Sequence, residues 1–276
     1  TLPVTMQHLG VMLSVFPTAM LMQRIGRGPG FRVGSLCGMA GASLCCFGLY
    51  AGSLAVMCLG GLVLGYAVAS IQMYRFAAVE LAPSEMRAKA ISWVTSGGVV
   101  AGILGPSLAR FTHDQLVPLY LGTYLGMICL HLIVLAIMGF IKFPPPATAA
   151  SEAAVGGLPP RPLSTIALQP KFLASALCAM VAYGTMSFLM SASPLAIVGC
   201  GLPHTEAHWV IFLHVMGMFV PSFFTGNLIS RFGVIPVMCC GVLLLMAGVA
   251  SALSGMTEWN FRIALATNGE IGRAHV

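Results

Sequence analysis

RIGRGPGFRVGSLCGMAG (residues 24–41) and RFGVIPVMCCGVLLLMAG (residues 231–248) align without a gap. Arg24, Gly26, Pro29, Gly34, Met39, Ala40 and Gly41 recur as Arg231, Gly233, Pro236, Gly241, Met246, Ala247 and Gly248. Each copy begins as a short loop with a basic residue and a glycine that permits a tight turn. Each then runs into an apolar stretch of the length that crosses a bilayer. A loop and span that return together mean that two parts of the chain share one plan.

Composition sets the class around that repeat. The 276 residues are 58% hydrophobic and 7% charged, with mean hydropathy +0.94. Ordinary soluble chains carry about 25% charged residues. Apolar stretches fall at 2–22, 30–50, 54–79, 91–108, 117–141, 171–197, 209–229 and 234–253, and a ninth begins near Trp259. Most approach the ~20 residues that span a bilayer, so the expected fold is an all-α, multi-pass membrane protein with the lipid bilayer as its first partner. The net charge of +6 needs no nucleic acid, because basic residues flank the cytoplasmic ends of membrane spans. One set of loops holds Arg24, Arg27, Arg32, Arg87, Lys89, Lys142, Arg161, Lys171 and Arg231, and the opposite set holds Arg110 and Arg262. The first set is expected in the cytoplasm, which fits an inner (plasma) membrane.

The stretch 143–170 contains PPPATAASEAAVGGLPPRP (residues 144–162), too polar to span and too rich in Pro to pack. It is expected to be a cytoplasmic linker between an N-terminal bundle (1–142) and a C-terminal bundle (171–269). Parallel repeats of this kind occur in many transporters. The nine cysteines show no zinc-type spacing and read as small buried apolar residues. Residues 270–276 resemble a translated sequencing adapter and are set aside. No phosphate loop, paired carboxylates or Ser/His/Asp grouping occurs, so an enzyme is not expected and no cofactor is implied.

QRIGRGPG (23–30) is similar to the loop between helices two and three of the major facilitator superfamily, and SRFGVIP (230–236) to its echo between helices eight and nine. GGVVAGILGP (97–106) resembles the superfamily's Gly-Pro motif of helix five. The resemblance implies two bundles working by alternating access, with this chain covering helices two to nine and the start of ten, out of twelve. Gln23 stands where an acid is usual, which leaves the inner charge lock without its acid at that position.

Within that frame, GTMSFLMSASP (184–194) carries Met186 and Met190, and HWVIFLHVMGM (208–218) carries His214 and Met218. An i, i+4 spacing places each pair on one helix face. A short polar link through His204, Glu206 and His208 makes the two spans antiparallel. Two thioethers facing an imidazole and a third thioether would suit a soft ion, Cu(I) above all. MSFLMSASPLAIVGCG (186–201) and HVMGMFVPSFFTG (214–226) resemble the CcoA-like subfamily of copper importers, which includes flavin transporters. That resemblance implies copper import, with Met186, Met190, His214 and Met218 as ligands of the transported ion and a copper chaperone as partner. The alternatives are transport of an organic solute such as riboflavin or a drug, and a membrane sensor or assembly factor that binds copper without moving it.

Other residues carry weaker expectations. His8 and Met12 stand near the repeat-equivalent place of His214 and Met218 and could form a symmetry-related second site. His131 reads as a hydrogen-bonded core residue. Arg75, Glu80 and Arg87 are candidates for a gate, and Arg24, Gly26, Arg231 and Gly233 for conformational roles. Gly98, Gly102 and Gly105 would permit close helix approach, with Pro106 bending the helix. His204 and His208 could capture metal at the entrance.

Overall fold

The computed structural model describes residues 2–83, 86–144 and 163–274. Among the described residues there is no β-strand. The helices are α1 (Leu2–Ile25), α2 (Arg27–Tyr50), α3 (Leu54–Ile71), α4 (Tyr74–Leu81), α5 (Arg87–Thr112), α6 (Leu121–Phe140), α7 (Leu163–Ala167), α8 (Pro170–Gly199), α9 (His204–Phe219), α10 (Ser222–Phe232), α11 (Val234–Ser254) and α12 (Glu258–Ala274). Among the described residues seven helical stretches are long and apolar enough to cross a membrane, with Leu54–Leu81 counted as one; Trp209–Thr225 is shorter. Residues 145–162, the greater part of the expected linker, lie outside the described residues.

The repeat is structural as well as sequential. Gly26 separates α1 from α2 at φ 89°, ψ 165°. Gly233 separates α10 from α11 at φ 84°, ψ 168°. Both are N-caps in a region of backbone space that only glycine occupies cheaply. Pro29 and Pro236 then fall third in their helices, where a missing N–H breaks no helical hydrogen bond. Gly, then Pro three residues later, is therefore a working signal for turning one span into the next.

Local chemistry sets other boundaries. The Ser53 hydroxyl accepts from the Val56 amide at 3.5 Å to cap α3, a type of contact worth about 1 kcal/mol. Pro170 opens α8 at a position that suits it. Two sequence expectations need correction. The apolar stretch 209–229 is not one helix: it breaks at Val220–Pro221, because Pro221 has no amide hydrogen and its ring crowds the carbonyl four residues back. His204, Glu206 and His208 do not form a loop. They lie in the first turns of α9, where Glu206 meets the positive end of the helix dipole. The link between α8 and α9 is thereby shortened to residues 200–203.

The chain divides into two compact units, Thr1–Ile91 with Gly105–Leu158, and Ser92–Leu104 with Pro159–Val276. In the first unit, α3 packs on α1 and α2, and α6 packs on α2. The α1–α3 seam is built from small residues: a Cβ on Gly10 would run into the Leu62 carbonyl, and one on Gly65 into the Gln7 carbonyl. Such residues let spans meet backbone to backbone, the usual basis of helix association in lipid. One end holds Met22, Phe31 and Ala77, with Tyr74, Met138 and Phe143 against them. Phe31 meets Tyr74 edge-on at 4.7 Å between centroids. Further along, Ala42, Cys45 and Leu64 pack with Tyr124, Met127 and Ile128.

In the second unit α12 packs on α9 and α11, and α8 lies against α9 and α12. Its core is Ile197, Val210, Ala264 and Leu265. Residues 92–104 of α5 belong to this unit: Gly98 faces the Phe219 ring and Gly102 the Val215 side chain, while Gly105 looks into open space. Large apolar side chains such as Phe111, Phe140, Leu195 and Trp259 point outward, as they do on helices that face lipid. The same outward turn corrects the reading of the cysteines. Cys45 is buried, but Cys129, Cys178, Cys200, Cys239 and Cys240 are exposed free thiols.

Candidate functional site

His214, on α9, is fully buried. Its Nδ1 lies 3.0 Å from the Leu265 carbonyl oxygen of α12. A carbonyl only accepts, so Nδ1 carries the hydrogen and the neutral ring presents a lone pair at Nε2. That Nε2 is buried without a partner among the described residues. Asn268, also on α12, is buried, and its Nδ2 has no partner among the described residues. The two helices meet closely: a Cβ on Gly217 would strike the Ala266 carbonyl, and one on Gly269 would strike the His214 carbonyl and lie 2.8 Å from the Met218 amide nitrogen. The face of α9 that carries His214 is therefore turned toward α12.

Met186 and Met190 are half-buried on α8, and Met218 is half-buried on α9. His214 and Met218 lie one turn apart on α9, and the methionine pair lies on the neighbouring helix α8. Among the described residues no group of three or more His, Cys, Asp or Glu could hold a metal ion. Copper would thus depend on the thioethers and His214.

A separate apolar cavity of 580 Å³ lies between α10 and α11, lined by Phe224, Leu228, Phe232, Pro236, Val237 and Leu244 among others. None of the four sulfur and imidazole candidates lines it. Its volume lies in the range of small-molecule sites, about 300–1,000 Å³.

The gate candidates sort differently from their sequence order. Glu80, at the end of α4, is held by Arg27 at the start of α2: Nη2 donates to Oε1 at 2.6 Å and Nε to Oε2 at 3.1 Å. The contact is bidentate, and its side chains are 24% and 42% exposed. Arg27 also lines a 220 Å³ cavity with Gly26, Gly28, Arg32 and Phe143. Arg75 does not join the pair; its guanidinium lies 5.0 Å from the centroid of the Phe76 ring, and its Nε is buried without a partner among the described residues. Arg24 is exposed, and Arg231 lies over the Phe232 ring at 5.4 Å. The Arg87 side chain, like those of His204 and His208, lies outside the described residues.

Sequence reading missed a second charge cluster. Arg262 near the start of α12 donates to Glu206 at 2.6 and 3.0 Å and to Glu258 at 3.4 Å, and lies over the Trp259 ring at 5.2 Å. The i, i+4 spacing of Glu258 and Arg262 was the available signal. It ties the first turns of α9 and α12 together.

The remaining histidines stand apart. His8 and Met12 are exposed on α1, Met12 to 68%, and His8 Nδ1 lies 2.9 Å from the Val4 carbonyl of its own helix. So His8 does not share the cross-helix bond of His214. His131, on α6, is half-buried, and its ring fills the space over Gly38, where a Cβ would collide with it.

Comparison with known proteins places these features. The model of the Major Facilitator Superfamily matches residues 1–198. The riboflavin transporter RfnT of Brucella anthropi is 36% identical over 266 residues, 96% of this chain and 66% of the relative. The MFS-type transporter YddS of Bacillus subtilis is 27% identical, over 84% of this chain and 56% of its own length. The chain thus spans less than two thirds of the curated relatives it matches. The fold is similar to the fucose:proton symporter FucP of E. coli, with TM-score 0.68 at 16% identity, covering 99% of this chain and 74% of that one. A second FucP structure, in the outward conformation, gives TM-score 0.66 with 73% of that chain covered. The match over residues 1–198, the seven apolar helices and the shared fold have one meaning: this chain belongs to the Major Facilitator Superfamily.

Proposed function

We propose that this protein carries a small organic solute across a bacterial inner membrane by alternating access, and that the solute is riboflavin or a close chemical relative. The observation that carries the reading is the 36% identity to a riboflavin transporter across 96% of the chain. That relative reverses the order reached from motifs, which put copper first. The apolar cavity with Phe224 and Phe232 in its wall is consistent with an aromatic cargo, since stacking on phenyl rings suits a flat heterocycle. Conformational work falls to the paired glycine turns at Gly26 and Gly233 and to the Arg27–Glu80 pair, a lock that would break and reform as the carrier rocks.

Copper import stays as the second reading because of one observation. His214 donates from Nδ1 to a backbone carbonyl and leaves Nε2 free, which is how metal-ligating histidines are commonly oriented. On that reading Met186, Met190, His214 and Met218 would hold the transported ion. Uptake into sealed vesicles, measured in parallel with riboflavin and with Cu(I), separates the two. Saturable riboflavin accumulation supports the first; copper accumulation without riboflavin uptake overturns it.

A further inference from the structure

Two side chains of the second unit are buried with a polar atom left over. His214 is 0% exposed and Asn268 1% exposed. His214 Nε2 and Asn268 Nδ2 meet no hydrogen-bonding group among the described residues. Both belong to the seam between α9 and α12. Leu265, whose carbonyl takes the His214 Nδ1 hydrogen, precedes Asn268 by three residues, so the two stand one above the other on one face of α12. A buried polar group without a partner is costly, and folded interiors rarely tolerate it. In the hydrocarbon region no water from the lipid side can relieve it.

The pair is chemically specific. With its hydrogen on Nδ1, His214 offers a lone pair at Nε2. Asn268 offers an amide N–H. One group accepts and the other donates, from positions about one helical turn apart. A ring N–H next to a carbonyl answers both at once. Both helices belong to the second unit, so a ligand reaches the pair by local parting of α9 from α12 and not by the rocking of one half against the other.

We infer that His214 and Asn268 form a donor–acceptor clamp that takes the lactam or imide edge of the carried heterocycle when the α9–α12 seam parts. The inference rests on the organic-solute reading and adds to it the edge that is recognised and the residues that recognise it. His214 Nε2 accepts the ring N–H, and Asn268 donates to the adjacent carbonyl. A site built around hydrogen bonds rejects an analogue that lacks one of them far more strongly than an apolar pocket does.

The test pairs a residue change with a probe change. Uptake of riboflavin is compared with that of N3-methylriboflavin, which keeps the carbonyls and lacks the ring N–H. The protein should favour riboflavin at least about tenfold in kcat/KM. In His214→Leu that preference should collapse toward unity, and His214→Gln, whose amide oxygen can accept, should recover part of it. Asn268→Leu should slow both probes about equally. A merely structural role would lower all transport without changing the ratio, so the preference separates binding from misfolding. Equal handling of both probes by the unaltered protein, or an unchanged preference in His214→Leu, overturns the inference. If riboflavin is neither bound nor carried, the riboflavin reading fails on its own. Thermal protection of the purified protein by uracil and xanthine, against their N-methyl derivatives, then decides. Protection lost on methylation and in His214→Leu supports the clamp, and no protection by any of them overturns it.

Discussion

Replacing Gly26 and Gly233 by alanine, singly and together, tests whether the two halves use the same turn. Gly26 sits at φ 89°, ψ 165° and Gly233 at φ 84°, ψ 168°. A side chain at such angles strains the backbone by about 1–3 kcal/mol per residue. At Gly233 an added Cβ meets nothing within 4 Å, so the cost there is conformational and not steric. Each substitution should therefore lower the folded-to-unfolded ratio roughly 5- to 150-fold. The two positions lie in different units, so their costs should add to within about 0.5 kcal/mol. Gly139→Ala is the control: Gly139 lies in α6 at an ordinary helical φ with open space around its Cβ. It should be neutral or stabilising by up to ~1 kcal/mol. Reversible denaturation in mixed micelles, followed by tryptophan fluorescence, measures all four. The reasoning is refuted if Gly26→Ala and Gly233→Ala match the control, or if only one of them is costly.

Three further outcomes follow from the packing and the charges. A double-mutant cycle on Arg27→Ala and Glu80→Ala should give a stability coupling of about 0.5–1 kcal/mol. The side chains are 24% and 42% exposed, so raising the salt should shrink it; Arg27→Lys should lose part of it, because lysine cannot reproduce the two-pronged contact. Gly217→Val should push α9 from α12, since the Ala266 carbonyl already fills the space a Cβ needs. A loss of about 1–3 kcal/mol is expected in the same denaturation assay. Met190→Leu conserves volume at a half-buried position of α8 and should leave riboflavin uptake within about threefold. A specific loss of copper uptake in that variant would restore the sulfur-and-imidazole reading.

Much of the architecture is legible in residue order because lipid imposes a simple code. Long charge-free runs must be helices. The Arg–x–Gly–x–x–Pro pattern at 24–29 and 231–236 locates both turns, since only glycine adopts their φ and only a first-turn position accepts the proline. The start of α9 was hidden by composition: His204, Glu206 and His208 look like a loop, yet an acid in the first turn favours the helix. Pro221 was a visible breaker lost within an otherwise continuous apolar run. The pairings that shape the candidate site were not visible. Arg27 meets Glu80 across 53 residues, and His214 meets a backbone carbonyl 51 residues on. No periodicity encodes a bond to a carbonyl. Asn268 belongs to no motif or spacing in the sequence, and only its burial without a partner for Nδ2 among the described residues marks it out.

The most direct measurement is side-by-side accumulation of riboflavin and Cu(I) in sealed vesicles containing the purified protein, against vesicles without it. Saturable riboflavin uptake, with copper no higher than in protein-free vesicles, is the predicted result. Copper accumulation with riboflavin at background would contradict the account and return Met186, Met190, His214 and Met218 to the role of ion ligands.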